Sequence, residues 1–201
     1  MKKIKKIVAI GPESTGKSTL CEKLAMHYNT LWVPEYAREY LEKNGTEYDY
    51  DDLLTIAKGQ IESEEDISYQ LSVISNQQSA ISNQSTSYLI PDQSSLVPLH
   101  LFIDTDLYVM KVWAEFIFNK CHNWILDQIA LRKYDLYLLC DADLPWVKDA
   151  LREYPDEETR KKLFLFYKEL MMNQSTPWCI ISGEYEERLK TAIQFIDASL
   201  T

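Results

Sequence analysis

Eight residues near the start of the chain, Gly11-Pro12-Glu13-Ser14-Thr15-Gly16-Lys17-Ser18, fit the pattern G-x-x-x-x-G-K-[ST]. The two glycines let the backbone turn tightly, so that successive N–H groups point inward and form a nest for an anion. A helix starting at Lys17 would add its positive N-terminal end. In such a loop the Lys17 ammonium reaches the β- and γ-phosphates of a nucleotide, and the Ser18 hydroxyl sits on Mg²⁺. Gly11, Glu13, Ser14, Thr15, Gly16 and Thr19 complete the cradle. The chain has five glycines, and two of them stand here. The plainer alternative is a glycine-rich turn that happens to precede a helix.

Acids and arginines recur where such a loop would need them. Asp104 closes the apolar run Leu101-Phe102-Ile103, and a carboxylate at a strand end beside a phosphate loop is suited to a bound Mg²⁺. Asp106 either caps the following helix or touches substrate. Pro34-Glu35-Tyr36-Ala37-Arg38-Glu39 follows a short extended piece. Ligands bind at the C-terminal edge of an open parallel sheet. Glu35, with Tyr36 beside it, could there orient or deprotonate an attacking hydroxyl. Arg38, one turn on, would pair with a phosphate or with Glu35. The alternative is a helix N-terminus whose acids favour the dipole. Arg152 and Arg160 straddle Tyr154-Pro155 and could close together as a lid that neutralises the transferring phosphoryl group; the alternative is a solvated helical face. Trp146 lies just past Asp141, where an exposed ring could stack on a flat substrate or a cation. His27, His100 and His122 have no partner spacing and read as structural.

These residues need a scaffold of alternating strands and helices. Lys5 to Ile10, Thr30 to Val33, Leu99 to Asp104, Tyr134 to Cys140 and Pro177 to Ser182 are short, near-continuously apolar runs. Helical spacing is expected over Lys17 to Tyr28, Ala37 to Lys43, Tyr50 to about Ile67, Leu107 to Leu131, Pro145 to Glu153, Asp156 to Met172 and Glu184 to Ser199. That alternation predicts an α/β fold, a five-stranded parallel sheet with helices on both faces.

At 201 residues, with 46% hydrophobic and 26% charged residues, the chain suits a single domain spanning 1–201. Ser68 to Ser95 breaks the pattern: nine Ser, five Gln and two Asn make sixteen of its 28 residues, and only Asp92 is charged. A low-complexity surface insertion over about 68–98 is expected, with a partner-binding loop or lid as the alternative. The net charge of −10 speaks against nucleic acid as a partner, which phosphate neutralisation would draw to a basic protein. Four scattered cysteines suggest neither a zinc site nor a disulfide framework. No apolar run is long enough to span a membrane, and a cytoplasmic protein with no membrane partner is expected. A homo-oligomer is left open.

The stretches Gly-Pro-Glu-Ser-Thr-Gly-Lys-Ser-Thr, Trp-Val-Pro-Glu-Tyr-Ala-Arg-Glu, Phe-Ile-Asp-Thr-Asp, Trp-Val-Lys-Asp-Ala-Leu-Arg and Gly-Glu-Tyr-Glu-Glu-Arg resemble the ribosylnicotinamide kinase domain of bacterial NadR proteins. The resemblance covers about residues 3–198 apart from Ser68 to Pro98. It implies a P-loop kinase fold related to nucleoside kinases, with a lid segment. It implies ATP- and Mg²⁺-dependent phosphorylation of the ribose 5′-hydroxyl of nicotinamide riboside, a small-molecule nucleoside. Carried over, Gly11 to Thr19 hold ATP phosphates, Asp104 lies beside Mg²⁺ and Glu35 faces the nucleoside. Trp146 stacks on nicotinamide, Arg152 belongs to the lid, and the loop at Gly183 lies near adenine. The start at Met1 predicts that the upstream domains of the better-known members are missing. A kinase for another nucleoside, a P-loop ATPase and an ATP-sensing module are the rival readings.

Overall fold

Five apolar runs become the strands of one sheet. In the computed structural model, which describes residues 3–84, 99–148 and 155–200, they are β1 (Ile4–Ile10), β2 (Leu31–Val33), β3 (Leu99–Asp104), β4 (Leu136–Cys140) and β5 (Trp178–Ile181). All pair in parallel, in the order β2-β3-β1-β4-β5. Ala9 of β1 stands opposite Asp104 of β3. The loop after β1 and the acid ending β3 therefore start at the same level.

The helices among the described residues are α1 (Lys17–His27), α2 (Tyr36–Asn44), α3 (Tyr50–Gln84), α4 (Leu107–Phe118), α5 (Asn123–Leu131), α6 (Glu157–Met172) and α7 (Tyr185–Leu200). Alternate strand residues feed opposite faces. Ile7, Ala9 and Phe102 pack under Leu20 and Leu24 of α1 and Ile196 of α7. Val8, Ile10 and Ile103 pack under Val112 of α4 and Leu163 and Met171 of α6. Burial on both faces is why each strand reads as a continuous apolar run. A third core, with Leu53, Ile56, Met110 and Ile125, joins α2 to α5 beside the β2 edge. The expected five-stranded parallel sheet is the observed one.

Three local expectations change. The helix from Tyr50 continues past Ile67 to Gln84; Ile67 and Leu71 pack onto the second face of the sheet, so tertiary burial supports its course as far as Leu71. Residues 85–98, the rest of the expected insertion, lie outside the described residues. Leu107 to Leu131 is two helices rather than one. Asn119 ends α4 in left-handed backbone, φ 54°, a conformation asparagine tolerates. Residues 145–148 are irregular rather than helical, and 149–154 lie outside the described residues.

Candidate functional site

The strands leading away from β1 depart in opposite directions, β3 on one side and β4 on the other. In an open parallel sheet a crevice forms at that point, past the C-terminal strand ends. Residues 11–16 wrap there before α1 begins. Gly11 holds φ 141°, and a Cβ on it would lie 2.5 Å from the Cys140 carbonyl oxygen, so the loop passes β4 this closely only with glycine. Ser14 and Gly16 take left-handed backbone, φ 56° and 76°, which helps gather successive N–H groups on one side. Gly16 is the N-cap of α1 and offers no side-chain cap, leaving the first helical N–H groups for the loop. Lys17 Nζ donates to the carbonyls of Gly11 (3.1 Å) and Pro12 (2.8 Å).

Two buried arginines brace the loop from behind. Arg160 Nη2 donates to the carbonyls of Ser14 (3.2 Å) and Leu144 (3.0 Å). Arg188, 2% exposed, donates to the carbonyls of Thr15 (3.0 Å), Gly183 (2.7 Å) and Asp141 (3.1 Å) and pairs with Asp143. Guanidinium groups, always charged and forked, suit this multiple bonding of carbonyls. With the Ser14 and Thr15 carbonyls tied back, the loop is held open.

Asp104 is 1% exposed, and no hydrogen bond of ordinary geometry reaches either of its oxygens. Burial first, and the Glu35 charge second, hold its carboxyl well above the usual range, while Lys17 and the nearby Ser18 and Thr105 hydroxyls pull it down. A buried carboxylate with both oxygens unsatisfied, beside a serine hydroxyl, fits a hard cation. Among the described residues no group of three His, Cys, Asp or Glu could hold a metal ion. Mg²⁺ is usually held by one or two carboxylates plus substrate phosphates, and Asp104 is a carboxylate placed to be one of them. Thr105 links this acid to the next one: its Oγ1 donates to Glu35 Oε1 at 3.4 Å. It does so from left-handed backbone, φ 75°, a strained state for a β-branched residue.

The loop opens into a cleft of about 500 Å³. Glu35 and Arg38 stand on one side of it; Val112, Trp113 and Phe116 of α4 form an apolar wall, and Tyr185 reaches it from the start of α7. Arg38 also pairs with Glu42 at 3.9 Å. The cleft thus joins an anion cradle, an acid and an aromatic arm.

Of the residues singled out in the sequence, the structure brings Gly11, Glu13 to Thr19, Glu35 and Arg38 together around the cleft, with Asp104 buried beneath them. The others fall elsewhere. Asp106 caps α4, accepting from the Tyr108 N–H (2.9 Å) and the Tyr137 hydroxyl (2.8 Å), and is buried, so of its two readings the cap is the one realised. Tyr36 and half-buried Trp146 do not line the cleft, although Val147 next to Trp146 does. Arg160 sits behind the loop, 3% exposed, rather than over the cleft. Gly183 donates its N–H to Asp143 at 2.7 Å; its neighbour Tyr185 is the one in the cleft. Arg152 lies outside the described residues.

Sequence reasoning missed the α4 wall, Gln60 of α3 and Arg188. Val109, Val112, Trp113 and Phe116 recur at i, i+3, i+4 and i+7, which reads as an ordinary core stripe. Gln60 and Glu64 gave a better signal: they occupy core positions in the stripe Leu53, Ile56, Ala57, Ile61 and Leu71, where polar residues are rare.

Residues 6–188 match the AAA domain family model. The chain is 24% identical over 198 residues to the trifunctional NAD biosynthesis/regulator protein NadR of Escherichia coli, across 96% of this chain and 42% of that protein. It therefore spans less than half the length of that curated relative. Two solved structures of NadR proteins are similar over 97% of this chain at 22% identity. One, in complex with NAD and AMP-PNP, has a TM-score of 0.68 and is covered over 49% of its chain. The other, in complex with NR, has a TM-score of 0.67 and is covered over 50%. The fold is shared with both. Among the described residues no helix is long and apolar enough to cross a membrane.

Proposed function

We propose, from the premise that the chain belongs to the AAA domain family, that it is a cytoplasmic, ATP- and Mg²⁺-dependent kinase that phosphorylates the ribose 5′-hydroxyl of nicotinamide riboside. The observation that carries this reading is one cleft in which a phosphate loop and an aromatic arm meet at an acid, Glu35. The NAD biosynthesis named for the Escherichia coli relative and the NR bound in one solved NadR protein support the choice of acceptor.

In this reading the amides of residues 11–19 bind the triphosphate of ATP, and Lys17 neutralises charge on the transferring group. Ser18 and Asp104 would hold Mg²⁺, which when bound supplies further neutralisation of the β- and γ-phosphates. The α4 wall at Trp113 and Phe116 takes the nicotinamide ring, in place of Trp146, and an aromatic face suits that cationic ring. Glu35 orients the 5′-hydroxyl and takes its proton as the oxygen bonds to the γ-phosphorus and ADP leaves. Arg38, at the same cleft, pairs with the transferred phosphoryl group. Tyr185, beside Gly16, lies at the adenine end.

The test is ADP release and product mass with MgATP and a panel of nucleosides. Nicotinamide riboside should stimulate ADP release well above buffer and yield a phosphorylated nucleoside. Stimulation by a different nucleoside alone would move the acceptor, and ATP binding with no stimulated turnover would point to a sensing module.

A further inference from the structure

The middle of α3 carries one residue that a helix does not favour and one that a core does not. Gly59 and Gln60 stand inside a 35-residue helix, where glycine is a poor former. Gln60 is 2% exposed. Its carboxamide oxygen accepts the Tyr36 N–H at 2.8 Å. Its Nε2 lies 3.5 Å from the carbonyl oxygen of Pro34 and 3.4 Å from that of Asp104. One side chain therefore touches the chain on both sides of Glu35 and at Asp104 itself. The β2–β3 ladder ends at Val33 and Ile103, and Gln60 takes over the cross-link just past its end. Gly59 allows the approach: a Cβ on it would lie 2.1 Å from Cε1 of Tyr36, so the Tyr36 ring rests on the helix backbone itself.

We infer that Gln60 is a positioning residue: its amide sets the exit of β2 against the exit of β3, so that Glu35 and Asp104 face one acceptor hydroxyl and one cation. The inference rests on the kinase reading above. Gln60 touches no reacting atom; it acts through the backbone that carries the two acids. Small displacements of such groups change rates strongly, because the reacting geometry is narrow. The phosphate loop belongs to other elements and makes none of these bonds, so nucleotide binding without metal should not depend on Gln60.

Gln60→Met keeps the length and bulk of the side chain and removes its donors and strong acceptor. Calorimetry with AMP-PNP, with and without magnesium, is run beside steady-state rates with MgATP and nicotinamide riboside. Metal-free AMP-PNP affinity should stay within about twofold of wild type, while kcat and the affinity gained on adding magnesium each fall about tenfold or more. Retention of both the magnesium gain and kcat overturns the inference. An equal loss of metal-free affinity also overturns it, since it reports general damage. Gln60→Glu adds a readout that bulk structure would not move. It keeps the acceptor, and its carboxyl regains a donor when protonated, so its kcat relative to wild type should recover as pH is lowered. Should Gln60→Met fail to fold, this ratio decides, and a flat ratio overturns the inference. Wild-type protein that gains affinity from magnesium yet does not phosphorylate nicotinamide riboside refutes the substrate reading alone, and the calorimetric arm still decides Gln60.

Discussion

Thr105 shows how much of the site is built from single residues under strain. Buried, with φ 75°, it donates its N–H to the Ala9 carbonyl at 3.1 Å and its hydroxyl to Glu35. Left-handed backbone at a β-branched residue costs about 1–3 kcal/mol, and such strain persists where the surroundings enforce it. Thr105→Gly relieves the strain, at the expense of about 0.5–1 kcal/mol of backbone entropy, and removes the hydroxyl beside Glu35. The variant is expected to melt no lower than wild type while kcat with nicotinamide riboside falls about threefold to tenfold. Melting curves and steady-state rates on the same preparation check this; a lower Tm with unchanged kcat would show that the hydroxyl is structural. Gly11 is the opposite case: the need for glycine there is legible from the motif, because the motif encodes a backbone shape, while the strand it passes, at Cys140, comes from the fold.

At the scale of elements, α3 carries the most that composition hides. Gln60 and Glu64 lie one turn apart, on the same side of the helix. Glu64 is 1% exposed; its carboxylate takes a bond from Lys6 of β1 at 2.7 Å and another from the Tyr134 hydroxyl at 2.8 Å, with Arg132 at 3.7 Å. This pinning of α3 to β1 fixes where Gln60 stands. Removing one partner of a buried ion pair leaves the other charges uncompensated. Lys6 and Arg132 keep some solvent, so Glu64→Ala should destabilise by roughly 2–4 kcal/mol, less than for a fully dry pair. That corresponds to a Tm lower by about 4–16 °C for a domain of this size, measurable by thermal melt. A shift below about 1 °C would mean the network contributes nothing net.

For the whole molecule, two buried acids set the pH response. Burial pushes the Asp106 carboxyl up to about 7 against the pull of Tyr137 and the Tyr108 amide, and Asp104 is raised in the same direction. Their folded-state values lie above the unfolded ones, so between about pH 4 and about 7 the folded state binds more protons. Stability then falls as pH rises through that window, and the penalty is complete above it. The net charge of −10 works in the same direction, since lowering the pH reduces self-repulsion. The lowered acids Asp52, Asp156 and Glu157 act oppositely but nearer pH 4, and His100, whose burial lowers its value, also acts oppositely below about 6.5 as one group against two acids. In magnesium-free buffer Tm should therefore be higher near pH 5.5 than near pH 8, about the midpoint and just above the window. Asp106→Asn, which mimics the protonated acid, should flatten the slope. A Tm that rises with pH across this range would contradict the assignment.

The parts whose signal is local could be read along the chain. The phosphate loop, the five apolar strands and the acids ending β2 and β3 are each written within ten residues, because backbone shape and period are properties of neighbours along the chain. The resemblance to the NadR kinase domain rests on the same local stretches. Which side chains share the cleft emerges only from packing between distant segments. Trp113 and Phe116 look like core until the packing of α4 leaves them on the cleft wall. Asp106 looks like a second acid for substrate until Tyr137, 31 residues away, turns it into a buried cap. Arg160 looks like a lid until it is found holding Ser14 from behind. Each of these outcomes depends on partners distant in sequence, and burial and hydrogen bonding are settled only when those partners meet.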